Sequence, residues 1–270
     1  MKPPFLLLIV LLVALYVPAR VDAAEPLVYT GIFLNETVER GGDLALTLTV
    51  NQGQVQTRAN FTALVPSSAA LCGAGETAPV TLTMPFTSTF VSRDLDLGCG
   101  FDWGATYTLT STLQANQTQL VGTFAVRNSG GSLATPAQGR FEAWRTDVAP
   151  VHERYLGTFV NTTIGAPGTV ALQIQRGEQL VAGTIDFDGL PGGQVLCGGG
   201  TFVVPVAEPL RFTPDGGDRD LGCGLSGALV IELVTTDNGA QIIGTYRGGV
   251  QAGTLTLRRA RVVALPALRR

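Results

Sequence analysis

Closely spaced aspartates are the first residues in this sequence that could do chemistry. Two Asp-x-Asp-x-Gly motifs contain Asp94 and Asp96 in the first half of the chain and Asp218 and Asp220 in the second. Alternate carboxylates in a turn are the beginning of a calcium-binding loop, but neither motif has the glutamate that completes an EF-hand loop. The motifs therefore predict turns closed by hydrogen bonds between the aspartate side chains and the backbone. Calcium binding is the weaker hypothesis, and we expect no other cofactor.

Two other groups are candidates for acid–base or nucleophilic catalysis. Asp186 and Asp188 could act as a carboxylate pair like that of a glycosidase, but they flank Phe187 in an alternating segment. If Phe187 points inward, both carboxylates face solvent. His152 is the only histidine of the chain, and we interpret it as an exposed linker residue. The sequence therefore predicts no catalytic residues.

All four cysteines belong to two copies of one pattern. Cys72 and Cys99 are spaced almost as Cys197 and Cys223 are, and the residues around them repeat. An even number of cysteines in an exported chain indicates disulfides. The duplication favours one bridge within each copy, Cys72 to Cys99 and Cys197 to Cys223. The cysteine spacing is not that of a zinc site.

The repeated pattern extends along the whole chain, which is a tandem duplication. Phe61 corresponds to Phe187, and the segment starting at Tyr29 corresponds to the one starting at Tyr155. The predicted division has a first repeat at 24–145, a linker at 146–154, a second repeat at 155–261 and a basic tail at 262–270.

The first residues predict export. Lys2 precedes an apolar run and small residues at a cleavage position, the pattern of a signal peptide covering residues 1–23. The remainder has no lysine, and its 16 arginines are outnumbered by 20 acidic residues. This balance argues against a nucleic-acid partner. No later segment is apolar enough to span a membrane. We therefore expect a secreted or extracytoplasmic location, in the periplasm or at the cell surface.

Alternating apolar residues predict an all-β fold. Leu44, Leu46, Leu48 and Val50 share one face of a strand, and glycine, asparagine, aspartate and proline separate such runs. The first repeat contains eight predicted strands, near 29–34, 44–50, 54–64, 80–85, 87–91, 106–113, 120–126 and 140–144. Short connections favour a small antiparallel up-and-down barrel with one disulfide in each repeat, and a β-sandwich is the alternative.

Aromatic residues of the first repeat suggest a ligand pocket. Trp103, Tyr107 and Trp144 would line the mouth of an eight-stranded barrel, whose interior can hold one small ligand. The alternative is that these side chains form ordinary core.

The sequence thus favours an exported, non-enzymatic binding or structural interaction module. A carrier of small apolar ligands in the first barrel is the second hypothesis, and a carbohydrate-active enzyme is the third. The expected partners are an extracellular protein, a glycan or a small apolar ligand.

Overall fold

The chain folds into two antiparallel β-barrels in tandem. The computed structural model describes residues 25–63, 73–92, 105–114, 116–127, 137–148, 152–189, 198–215, 229–248 and 251–260. Within these residues the one helical element is a short 3-10 turn, Asp237–Gly239. The described residues include no helix with the length and apolarity needed to cross a membrane.

Barrel 1 consists of nine strand segments. These are β1 (Leu27–Asn35), β2 (Arg40–Asn51), β3 (Gln54–Ala63), β4 (Gly73–Glu76), β5 (Val80–Thr81), β6 (Phe86–Val91), β7 (Thr106–Leu113), β8 (Gln119–Arg127) and β9 (Ala137–Arg145). From β1 to β4 and from β6 to β9 each strand pairs with its neighbour in sequence, and the last strand returns to pair with the first. Both β4 and β5 pair with β3, so together they form one interrupted strand of an eight-position barrel.

Barrel 2 has the same up-and-down order. Its strands are β10 (His152–Asn161), β11 (Ala166–Arg176), β12 (Leu180–Gly189), β13 (Gly198–Pro205), β14 (Leu210–Phe212), β15 (Val230–Thr236), β16 (Gln241–Gly248) and β17 (Gln251–Arg259). Here β17 returns to β10, and a single bridge between Thr201 and Asp215 joins β13 to the residues after β14. In barrel 1 the described residues show no such bridge between β6 and the segments β4 and β5.

The predicted fold class, two tandem all-β barrels, is confirmed. Two boundaries differ from the prediction. The fourth strand lies at 73–81 rather than 80–85, and β10 begins at His152, inside the segment expected to be linker. His152 belongs to the strand because it pairs with Gln175 of β11.

Aromatic side chains fill both barrels. In barrel 1 the Phe61 ring lies 5.1 Å from Phe33 and 5.4 Å from Phe124, measured between centroids. In barrel 2 the equivalent Phe187 lies 5.3 Å from Phe159. Edge-to-face rings at these separations stabilise a core beyond the burial of their area. Phe187 is buried between the exposed Asp186 and Asp188, which confirms the predicted orientation of this strand.

Two polar contacts recur at equivalent positions of the barrels. The Asn35 side chain accepts a hydrogen bond from the Thr37 N–H, and Asn161 does the same with Thr163. The Tyr29 hydroxyl donates to a carbonyl of the β7–β8 turn (2.9 Å), as the Tyr155 hydroxyl does to the β15–β16 turn (3.0 Å). These contacts hold the turns at both ends of each barrel.

Tyr246 provides a stability test within barrel 2. Its hydroxyl is buried and has no hydrogen-bond partner among the residues that the structure describes, and burial raises the pKa of Tyr246 from 10.0 to about 12. Phe124 stands at the equivalent place in barrel 1. We expect Tyr246→Phe to raise the free energy of unfolding by about 1 kcal/mol near neutral pH, because it removes an unpaired buried hydroxyl.

The same substitution changes the response to alkali. A buried phenol with a raised pKa ionises more readily in the unfolded chain, so it weakens folding as pH rises from 10.0 towards about 12. Tyr246→Phe should therefore stabilise the protein more at alkaline than at neutral pH. Urea unfolding at both pH values measures this, and an equal gain at both would contradict it.

Candidate functional site

The outer walls of the two barrels pack against each other. Strands β1, β2 and β9 of barrel 1 contact β12 and β13 of barrel 2 through the outer faces of both barrels. The apolar part of this contact consists of Ile32, Leu34 and Trp144 from barrel 1 and Leu180, Ala182 and Val203 from barrel 2. Burial of this apolar surface favours one fixed arrangement of the barrels.

Glu142 joins the barrels through a carboxyl group that is 0% exposed. Its Oε1 accepts hydrogen bonds from the Gln119 side chain and from the Glu178 backbone N–H, the latter at 2.6 Å. Its Oε2 accepts from the backbone N–H groups of Gln179 and Leu180, both at 3.2 Å. Because buried polar groups are costly to leave unpaired, these bonds fix the β11–β12 turn against barrel 1.

Close backbone approach and an ion pair complete the contact. A Cβ on Gly177 would overlap the Glu142 carboxyl group, and one on Gly41 would overlap Val203. At the same boundary the Arg40 guanidinium pairs with the Asp215 carboxylate. Asp215 thus contacts barrel 1 through its side chain while its backbone closes barrel 2.

The equivalent surfaces of the two repeats differ. Strand register places Thr256 of β17 where β9 carries Glu142, and Gln54 of β3 where β12 carries Leu180. Barrel 1 therefore contributes one face to the contact, and barrel 2 contributes the opposite face.

A polar cleft runs along this contact and is the candidate functional site. It comprises two adjoining cavities of about 180 and 350 Å³ that share Asp43, His152 and Gln175. Barrel 1 supplies outward side chains of β1, β2 and β3, and barrel 2 supplies those of β10, β11, β12 and β13. The remaining polar lining side chains are Thr30, Asn60, Thr62, Gln173, Thr184 and Thr201. We call this region the inter-barrel cleft.

Among the described lining residues, Asp43 and His152 are the titratable groups of the inter-barrel cleft. Asp43 lies between Ile32 and Thr62 on the outer face of barrel 1. Asp43 is exposed by its accessible surface, yet the surrounding protein partly desolvates the carboxyl group and raises its pKa above the ordinary value. His152 is exposed. The cleft therefore combines one acid and one imidazole with uncharged amides and hydroxyls.

The predicted aromatic pocket residues lie on opposite sides of the barrel wall. Tyr107 is buried inside barrel 1, where its ring stacks on Phe90 with centroids 4.8 Å apart. Trp144 points outward and packs in the inter-barrel contact. The structure thus does not bring these two side chains into one cavity. Trp103, the third predicted pocket residue, lies outside the described residues.

The other predicted site residues also lie outside the described residues. They are the cysteines Cys72, Cys99, Cys197 and Cys223 and the aspartates Asp94, Asp96, Asp218 and Asp220. Disulfide pairing and calcium binding therefore stay predictions. Among the described residues no group of three or more histidine, cysteine, aspartate or glutamate side chains is placed to hold a metal ion.

Sequence reasoning missed Glu142 and the lining of the inter-barrel cleft. One signal was present for Glu142, since it is an acid within the apolar run Phe141, Ala143 and Trp144 of a predicted strand. A lone acid on the outer face of a strand is usually solvated, and nothing local distinguishes one that is buried by a second domain.

Comparisons with known proteins identify no family for this chain. No family model matches it, and no curated protein matches it. A solved structure of a candidate outer membrane protein from Bacteroides fragilis NCTC 9343 is 12% identical over 88% of this chain and 98% of that chain, with a TM-score of 0.30. A solved structure of kievitone hydratase from Nectria haematococca is 9% identical over 86% of this chain and 88% of that chain, with a TM-score of 0.20. Likenesses this weak say nothing about the fold, which the strand pairing establishes.

Proposed function

We propose that this protein is an exported, non-enzymatic binding module whose binding site is the inter-barrel cleft. The observation that carries the proposal is that side chains of both barrels converge on one polar cleft beside a fixed contact. A site shared between two domains is a common place for ligands to bind. The signal-peptide pattern of residues 1–23 supports action outside the cytoplasm.

The fixed contact matters for binding because it orders the site in advance. The Glu142 hydrogen bonds and the apolar contact hold the two halves of the cleft together before a ligand arrives. A preformed site avoids the entropic cost of ordering its parts on binding.

Blocking the inter-barrel cleft tests the proposal. Thr184 lines the cleft with an exposed side chain on β12, so Thr184→Trp would fill the site while keeping a residue that favours strands. Thr158 on β10 is exposed and does not line the cleft, which makes Thr158→Trp the matched control. We expect Thr184→Trp to weaken binding of labelled protein to envelopes and extracellular material of its source organism by at least about tenfold.

The control variant decides what that loss means. Unchanged binding by Thr158→Trp assigns the loss to the cleft. Equal binding by wild type and Thr184→Trp, or a greater loss with Thr158→Trp, would show that the cleft is not the binding site. Circular dichroism spectra that match the wild type establish that both variants are folded.

A further inference from the structure

The chemistry of the inter-barrel cleft narrows the class of ligand. Three of its lining side chains are carboxamides and four are threonine hydroxyls, provided by both barrels: Asn60, Gln173, Gln175, Thr30, Thr62, Thr184 and Thr201. Carboxamides and hydroxyls both donate and accept hydrogen bonds. Their natural complement is a ligand whose groups also do both, which is the property of sugar hydroxyls.

The charge of the cleft disfavours an anionic ligand. Recognition of phosphate, sulfate or carboxylate groups relies on arginine and lysine, and neither type occurs among the residues described along the cleft. Asp43 would oppose an anion by direct repulsion. A cationic ligand would find Asp43 as its one carboxylate partner, whereas a neutral polyol would use the whole lining.

Apolar positions lie between the polar ones. Ile32 and Ala182 line the smaller cavity and Ala45 the larger one, with Gly31 and Gly183 leaving backbone close to the surface. A sugar ring has polar edges and apolar C–H faces, so it can contact both kinds of surface. The larger cavity, at about 350 Å³, lies at the low end of the range of small-molecule sites.

We propose that the inter-barrel cleft binds neutral oligosaccharides, with the carboxamides of Asn60 and Gln175 as the main hydrogen-bonding groups. Asn60 approaches from β3 of barrel 1 and Gln175 from β11 of barrel 2. The sugar therefore bridges the two barrels. This inference rests on the proposed function, in which the same cleft is the binding site.

A glycan array with neutral and acidic members tests the ligand class. Labelled wild-type protein should bind neutral glycans, and Asn60→Ala and Gln175→Ala should each weaken the affinity for a bound neutral glycan by tenfold or more. Gln138→Ala is the matched control, since Gln138 is an exposed carboxamide on β9 that does not line the cleft. Its affinity should equal that of the wild type.

Three results would overturn the inference. One is selective binding of sialylated or sulfated glycans, and another is neutral-glycan binding that Asn60→Ala and Gln175→Ala leave intact. The third is no glycan binding at all. If the protein binds no glycan but Thr184→Trp weakens binding to envelopes, the inter-barrel cleft is the binding site and its ligand is not a neutral oligosaccharide. If Thr184→Trp also binds normally, the proposed function fails as well.

Discussion

Replacing Glu142 with alanine is expected to uncouple the two barrels. The substitution removes all four hydrogen bonds that the carboxyl group accepts and leaves the amides of the β11–β12 turn facing an apolar surface. Unsatisfied buried donors cost about 1 to 3 kcal/mol each, so the docked state should lose several kcal/mol. Calorimetry should show one unfolding transition for the wild type and two for Glu142→Ala.

Small-angle scattering provides a second measurement, because undocked barrels increase the radius of gyration at a temperature where both stay folded. Glu36→Ala is the control: Glu36 pairs with Arg140 on the exposed surface of barrel 1, where an ion pair contributes at most about 1 kcal/mol. A single transition with an unchanged midpoint in Glu142→Ala would show that the apolar contact alone holds the barrels together.

Replacing Phe61 with alanine is expected to destabilise barrel 1 by about 3 to 5 kcal/mol, the usual loss for a buried phenylalanine. Phe61 is 0% exposed and contacts the rings of Phe33, Tyr107 and Phe124. Both tryptophans of the chain lie in the first repeat. Tryptophan fluorescence therefore follows barrel 1 and, through Trp144, its contact with barrel 2. Circular dichroism follows both barrels.

Phe187→Ala makes the matching cavity in barrel 2. If docking couples the barrels, Phe187→Ala should also shift the tryptophan transition of the otherwise wild-type protein. In the Glu142→Ala background it should no longer do so, whereas Phe61→Ala still should. A tryptophan transition that ignores Phe187→Ala in both backgrounds would mean that the barrels unfold independently.

The barrel fold was predictable because its determinants are local. Inward residues alternate along β2 from Leu44 to Leu48, and the connections from β1 to β2, from β2 to β3 and from β11 to β12 are short enough for hairpins. The fourth strand was misplaced because Gly73 and Gly75 carry no side chain that could show alternation. A Cβ on Gly75 would overlap the Phe90 ring of β6, a constraint that only the folded structure reveals.

The inter-barrel contact left a signal that was available in the sequence. The run Ile32, Phe33 and Leu34 is apolar on both faces of its strand, as is typical of strands covered on both sides. In the second repeat the equivalent run is Thr158, Phe159 and Val160, whose outward residues Thr158 and Val160 are both exposed. Such a difference between repeats indicates that only one copy is covered.

The cleft could not be predicted in the same way. Asp43 and Gln175 lie far apart in the sequence, and each is an ordinary outward residue of its own barrel. Their proximity depends on the relative placement of two domains. No periodicity within either repeat encodes that placement.

The unlike faces that meet between the barrels also have a consequence for repeated assembly. A contact that joins the front of one unit to the back of an identical unit can be repeated without end and builds a filament. In barrel 2 the face equivalent to the contact face of barrel 1 is formed by β10 and β17, and it has Thr256 in place of the Glu142 carboxyl group. In barrel 1 the face equivalent to the contact face of barrel 2 includes β3, which begins with Gln54 in place of the apolar Leu180. The two side chains that anchor the contact between the barrels, Glu142 and Leu180, thus have no counterpart at the equivalent positions of the free faces, so this contact cannot repeat in the same form.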